Sequence, residues 1–175
     1  MRQKRYGNSH GVGGIMLFLG VLLLILLTFI VWREYAYCQR LRLSQLSEFL
    51  SFIKNMKERM ECYLEAPGAW INGYESQELE RIGFIKNIRE RKELLVAYES
   101  CKEGLLIDNE ASCVIEALFS ELGEGYLDSE LEVIESALEK LSRIEASMAS
   151  ESEKKIKTAG ALLGAVAAGI VILVI

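Results

Sequence analysis

Histidine occurs once in this chain, at His10, and proline once, at Pro67. A proton relay or metal site built on histidine is therefore nearly excluded, because His10 sits in a short head rather than in any folded stretch. Charge is missing altogether from residues 11–32 and again from 158–175. Positive charge is scarce in between: residues 33–157 hold 17 Lys and Arg against 25 Asp and Glu, a net charge of −8. That middle is a poor partner for nucleic acid, since phosphate contact needs clustered cations. Paired cysteines are missing too. Cys38, Cys62, Cys101 and Cys113 are separated by 24, 39 and 12 residues, with no CxxC and no nearby histidine to complete a zinc site. Two disulfides would be possible if the domain lay outside the cell; reduced, structural thiols are the favoured reading, because free Cys is among the most buried residue types.

Catalytic signatures are equally lacking. No GxSxG, HExxH or Cys/His pairing occurs, and Gly7, Gly11, Gly13 and Gly14 lack the GxxxxGK[ST] of a phosphate loop. Carboxylates capable of acid–base work lie on helix faces among polar neighbours, where solvated acids are the ordinary state. The sequence therefore predicts no enzyme, no cofactor and no metal. Disorder is disfavoured by a hydrophobic content of 51%.

What is present begins with the two uncharged blocks. Residues 11–32, GVGGIMLFLGVLLLILLTFIVW, span about 33 Å as a helix, enough to cross a hydrocarbon core of about 30 Å. Trp32, Tyr35 and Tyr37 stand where an interfacial aromatic belt would form. Arg2, Lys4 and Arg5 resemble the n-region of a signal peptide, but the block is too long for an h-region and bulky TFIVWREY offers no cleavage site, so a retained membrane helix is expected. Residues 158–175, TAGALLGAVAAGIVILVI, predict a second span. Within it Gly160, Gly164 and Ala168 recur every fourth residue, as do Ala161, Ala165 and Gly169. Such stripes let helix backbones approach closely, here against the first span or a neighbouring protein. Cations flank the first block evenly, whereas Lys154, Lys155 and Lys157 precede the second with nothing after it. The balance places the middle in the cytoplasm.

Residues 33–65 contain no Gly or Pro, and Leu46, Phe49, Leu50, Ile53, Met56, Met60 and Leu64 form one helical stripe. Pro67–Gly68 ends that helix, and Trp70 in the following loop is expected to pack on the core. Ser76 predicts an N-cap for a helix burying Ile82, Phe84 or Ile85, and Ile88. A further helix over about 93–102 turns Leu94, Leu95 and Tyr98 inward, and Gly104 stops it. Asp108 or Asn109 caps a helix carrying Val114, Ile115, Leu118, Phe119 and Leu122, which Gly123 and Gly125 terminate. Ser129-x-x-Glu132 reads as a capping box opening the last helix. Leu127, Leu131, Ile134, Leu138 and Leu141 follow as a coiled-coil-like seam, and no breaker intervenes before Gly160. The expected fold is all-α: a membrane protein with N-terminal and C-terminal transmembrane helices around a bundle-like soluble domain. Its parts are a basic head (1–10), a first span (11–32), the helical domain (33–157) and a second span (158–175).

Charge is segregated along the domain. Residues 81–92 carry five cations against Glu90, and residues 99–139 carry twelve acids against Lys102. A field of that size steers basic partners. Glu121, Glu124, Asp128 and Glu132 are the candidate partner surface.

Residues 118–175 resemble one known family. A Leu118-x-x-x-Leu122-Gly123 turn leads into a long helix with Ile134, Leu138 and Leu141. Glu153, Lys154 and Lys157 then precede a terminal apolar segment starting near Gly160. Layout and motifs are similar to those of stage III sporulation protein AB of endospore-forming bacteria, with Tyr126, Glu130 and the 66–70 loop departing from the family pattern. The resemblance implies a soluble part like the cytoplasmic domains of type II secretion and type IV pilus platform proteins. It also implies a place beside a secretion-type ATPase and other membrane proteins of a channel complex between mother cell and forespore, as a homo- or hetero-oligomer. The competing reading is a two-span sensor-like bundle facing outside and binding a ligand, which Arg2, Lys4 and Arg5 would favour.

Overall fold

The computed structural model describes residues 10–63, 71–90, 93–123 and 125–174. Every element among them is helical: α1 (His10–Tyr63), a 3-10 turn (Ile71–Gly73), α2 (Gln77–Arg81), α3 (Phe84–Arg89), α4 (Leu94–Cys101), a second 3-10 turn (Lys102–Gly104), α5 (Asn109–Glu121) and α6 (Leu127–Val174). Head residues 1–9, Leu64, Pro67–Gly68, Trp70, Arg91, Lys92 and Glu124 lie outside the described residues. The chain forms two compact units, Met1–Tyr37 with Glu153–Ile175, and Cys38–Ser152.

In the first unit, α1 presents apolar side chains that stand largely uncovered among the described residues: Leu23 is 64% exposed and Leu27 56%. Among the described residues α1 is the helix long and apolar enough to cross a membrane, with a mean hydropathy of 1.9 over its most apolar stretch. A bare hydrocarbon surface of this kind is unfavourable in water and neutral in lipid. Trp32 turns to α6 instead. Its Nε1 donates to the Ile156 carbonyl at 3.5 Å, and a Cβ on Gly160 would come within 3.1 Å of that same nitrogen. Gly160 is thus the residue that lets α6 pass beside the indole. Ile25, Thr28, Phe29 and Trp32 face Gly160, Leu163, Gly164 and Ala167 across a groove of about 330 Å³. Of the two small-residue stripes, Gly160 and Gly164 lie on this groove, whereas Ala168, Ala161, Ala165 and Gly169 are exposed.

In the second unit, α1 supplies one wall of the core. Leu46, Phe49, Leu50, Ile53, Met56 and Met60 are all buried, as their spacing predicts, and Phe52 joins them. Around Phe49 and Phe52 sit Phe84, Tyr98 and Phe119, with ring centroids 5.2 Å (Phe49–Phe84), 5.7 Å (Phe49–Tyr98) and 5.8 Å (Phe84–Phe119) apart. Such aromatic pairs contribute about 0.5–1.5 kcal/mol each beyond their burial. One cluster therefore ties α1, α3, α4 and α5 together.

Polar contacts fix how the short helices meet α1. Ser76 caps α2 by accepting from the Leu79 N–H at 3.3 Å. The Glu48 carboxylate of α1 accepts from the Ser76 hydroxyl and from the Glu78 N–H at 2.9 Å. Arg42 donates Nε to the Leu106 carbonyl at 2.6 Å and pairs with Asp108. Gln45, fully buried, accepts from the Leu106 N–H at 2.8 Å, and its Nε2 has no hydrogen-bond partner among the described residues.

Four local expectations are corrected. The helix opened by Ser76 breaks in two at Gly83, whose φ of +85° is the left-handed conformation that glycine adopts without strain. Asp108 occupies the N-cap position of α5, but its carboxylate is drawn to Arg42 and makes no cap bond. The capping box does not form: α6 starts at Leu127, and the Ser129 hydroxyl donates back to the Tyr126 carbonyl at 2.8 Å. The α6 seam is also displaced. Glu130, Ile134, Ala137 and Leu141 are buried, Leu131 and Leu138 only half-buried, and Leu127 is 36% exposed.

Candidate partner-binding groove

The α5–α6 hairpin carries the acidic surface. Its α5 ends at Glu121, and Gly123 follows with φ +96°, a position where a side chain would be strained. The buried Glu130 carboxylate reaches back across the turn. Its Oε1 accepts from the Gly123 N–H at 2.9 Å and the Gly125 N–H at 3.3 Å. Gly125 has its own reason to be glycine: a Cβ there would lie 2.7 Å from the Ser129 hydroxyl. One carboxylate and two glycines thus close the hairpin tightly.

Beside that turn the two helices leave an open groove of about 490 Å³. On α5 the lining residues are Cys113, Val114, Ala117, Leu118 and Glu121; on α6 they are Ser129, Glu132, Val133, Ser136, Ala137 and Lys140. Both sets follow helical spacing, so each helix contributes one stripe. The floor is apolar, with Leu118 and Ala137 buried and Val114 and Val133 half-buried. Because the helices are joined by a tight turn, Glu121, Ser129 and Glu132 gather at the turn end and Cys113 and Lys140 at the other.

Of the four candidate residues, Glu121 and Glu132 line this groove, and Asp128 is exposed on the first turn of α6 without lining it. Glu124 lies outside the described residues. The groove itself, and Lys140 at its far end, were not legible as a site in the sequence. Their signal was the i, i+4 recurrence of Cys113, Ala117 and Glu121, masked by the stronger apolar stripe beside it. Tyr126 is 89% exposed at the same turn.

On the neighbouring side of α5 a polar chain runs from the core to the surface. The Tyr98 hydroxyl lies 2.9 Å from the Ser112 hydroxyl, which donates to Glu116 at 3.0 Å. Lys102 closes the chain on Glu116 at 2.5 Å. The Lys102 hydrogen bond holds the Glu116 carboxyl below its usual range, and the same contact raises the Lys102 ammonium. Burial pushes the Tyr98 phenol up to about 12 and the Cys101 thiol up to about 11. These shifts favour the protonated, inert forms of both groups. All four cysteines are unpaired, with Cys101 buried and Cys38, Cys62 and Cys113 exposed; the expected buried, structural placement holds for Cys101 and is corrected for the other three. Among the described residues no three metal-ligating side chains come together.

The chain matches no protein-family model, no curated protein and no solved structure.

Proposed function

We propose that this protein is a non-enzymatic membrane platform of the stage III sporulation protein AB kind, holding a helical domain against the cytoplasmic face and docking a secretion-type ATPase of a channel complex. The observation that carries the reading is α1. Its first part is a bare apolar rod, and the same helix, with no Gly or Pro after Gly20, later becomes the wall of a well-packed core. That is the construction of an anchor continuous in sequence with a folded domain. Supporting it are the uncharged 158–174 end of α6, read as a second span, and the cations preceding that end, which favour a cytoplasmic domain. The unpaired rim carboxylates Glu121 and Glu132 supply a surface for a basic partner.

The exposed thiols test the orientation that separates this reading from an outward-facing sensor. A membrane-impermeant maleimide applied to intact cells is expected to miss Cys38, Cys62 and Cys113 and to modify all three after permeabilisation. Modification before permeabilisation would overturn the cytoplasmic platform.

A further inference from the structure

We infer that the α5–α6 groove receives a single amphipathic helix of the partner, about three turns long, oriented with its Lys or Arg residues at the hairpin turn and an acidic residue at Lys140. The inference rests on the platform reading and names what the partner must present. From Ser129 to Lys140 the groove follows α6 for about 16 Å, three helical turns. The middle of the groove is apolar, Val114, Ala117 and Leu118 of α5 against Val133 and Ala137 of α6, and its two ends are polar, a pattern that matches one docked amphipathic helix with charged ends, the helix-in-groove mode of recognition. The charges choose the orientation. Glu121 and Glu132 sit at one end and Lys140 at the other. None of the three makes an ion pair or a side-chain hydrogen bond among the described residues, whereas Glu116 and Glu130 on the same two helices are engaged by Lys102 and by backbone N–H groups. A helix laid in reverse would set like charges together at both ends, which suppresses binding. No second copy of this chain serves as occupant through α3, the described helix within its basic segment, because Phe84, Ile85 and Ile88 are already buried in their own core.

The test uses the full chain in phosphatidylcholine nanodiscs and two fluorescent fourteen-residue helical peptides with the same leucine stripe. One carries two lysines at one end and a glutamate at the other; in the second the two lysines are replaced by glutamates, so that it is acidic at both ends. Anisotropy, corrected with empty nanodiscs, is expected to show the first peptide binding at least tenfold more tightly than the second. The double variant E121K/E132K, both sites exposed and unpaired, is expected to reverse that preference with unchanged helical content by circular dichroism. A chloroacetyl group on the glutamate end of the first peptide is expected to alkylate Cys113, and on the lysine end to leave it unmodified. Equal binding of the two peptides, binding of neither, or a preference untouched by E121K/E132K would overturn the inference. The platform reading would survive such a failure and is decided separately by the thiol topology.

Discussion

At the scale of single residues, two buried polar side chains, Gln45 and Glu130, serve the backbone of loops and turns. Glu130 is the clearest case, since one buried oxygen satisfies two backbone N–H groups of the α5–α6 turn. Glu130→Ala strands both donors and should cost about 2 kcal/mol in chemical denaturation of the full chain, whereas Glu130→Gln keeps an acceptor and should cost less. Tyr98 and Cys101 predict the alkaline limit of stability. Their ordinary values are 10.0 and 9.0, and the fold raises them to about 12 and about 11. The unfolded chain therefore loses these protons first. Their contribution is complete below about pH 9 and disappears as pH climbs through 12, at up to about 1.4 kcal/mol per pH unit for each group. Tyr98→Phe should flatten that decline in pH-dependent thermal melts. Little of this was legible in the sequence. Gln45 and Glu130 are polar letters beside apolar stripes, and only the path of the chain shows that their partners are the N–H groups of Leu106, Gly123 and Gly125.

At the scale of elements, long periodic stretches were legible and short ones were not. The α1 stripe from Leu46 to Met60 is buried as its spacing required, because one face of a long helix has only one core to meet. The Ser76 helix was read without its break, since an isolated glycine is compatible with either a helix interior or a left-handed turn, and only tertiary packing decides. Gly83→Ala should therefore cost about 1–2 kcal/mol, the penalty of a side chain in that conformation, while Gly83→Asn costs less. The α6 seam slipped because alternate leucines lie on its flank, with Ile134, Ala137 and Leu141 taking the centre. Trp32 offers a direct probe of the α1–α6 approach. Gly160→Val sets carbon against an indole nitrogen already 3.1 Å from the Cβ site. In a Trp70→Phe background it should shift the emission maximum of Trp32, and an unchanged spectrum would show that α6 does not depend on this glycine.

At the scale of the whole molecule, an uncovered apolar surface from Leu19 to Val31 must be sheltered. The full chain is expected to remain in the pellet after alkaline carbonate extraction, and recovery from the supernatant would contradict membrane anchorage. The helical class followed from composition and periodicity; the groove did not, because it depends on which faces of two helices the Gly123–Gly125 turn leaves apart. The crowding of negative groups at that turn has a thermodynamic consequence of its own. Glu121, Asp128 and Glu132 are exposed near that turn without countercharges among the described residues, so this end of the hairpin carries an uncompensated negative field. Added salt screens that field and dims the attraction of a basic visitor. Ionic strength is thus expected to loosen the complex while leaving the fold of the solitary molecule nearly untouched.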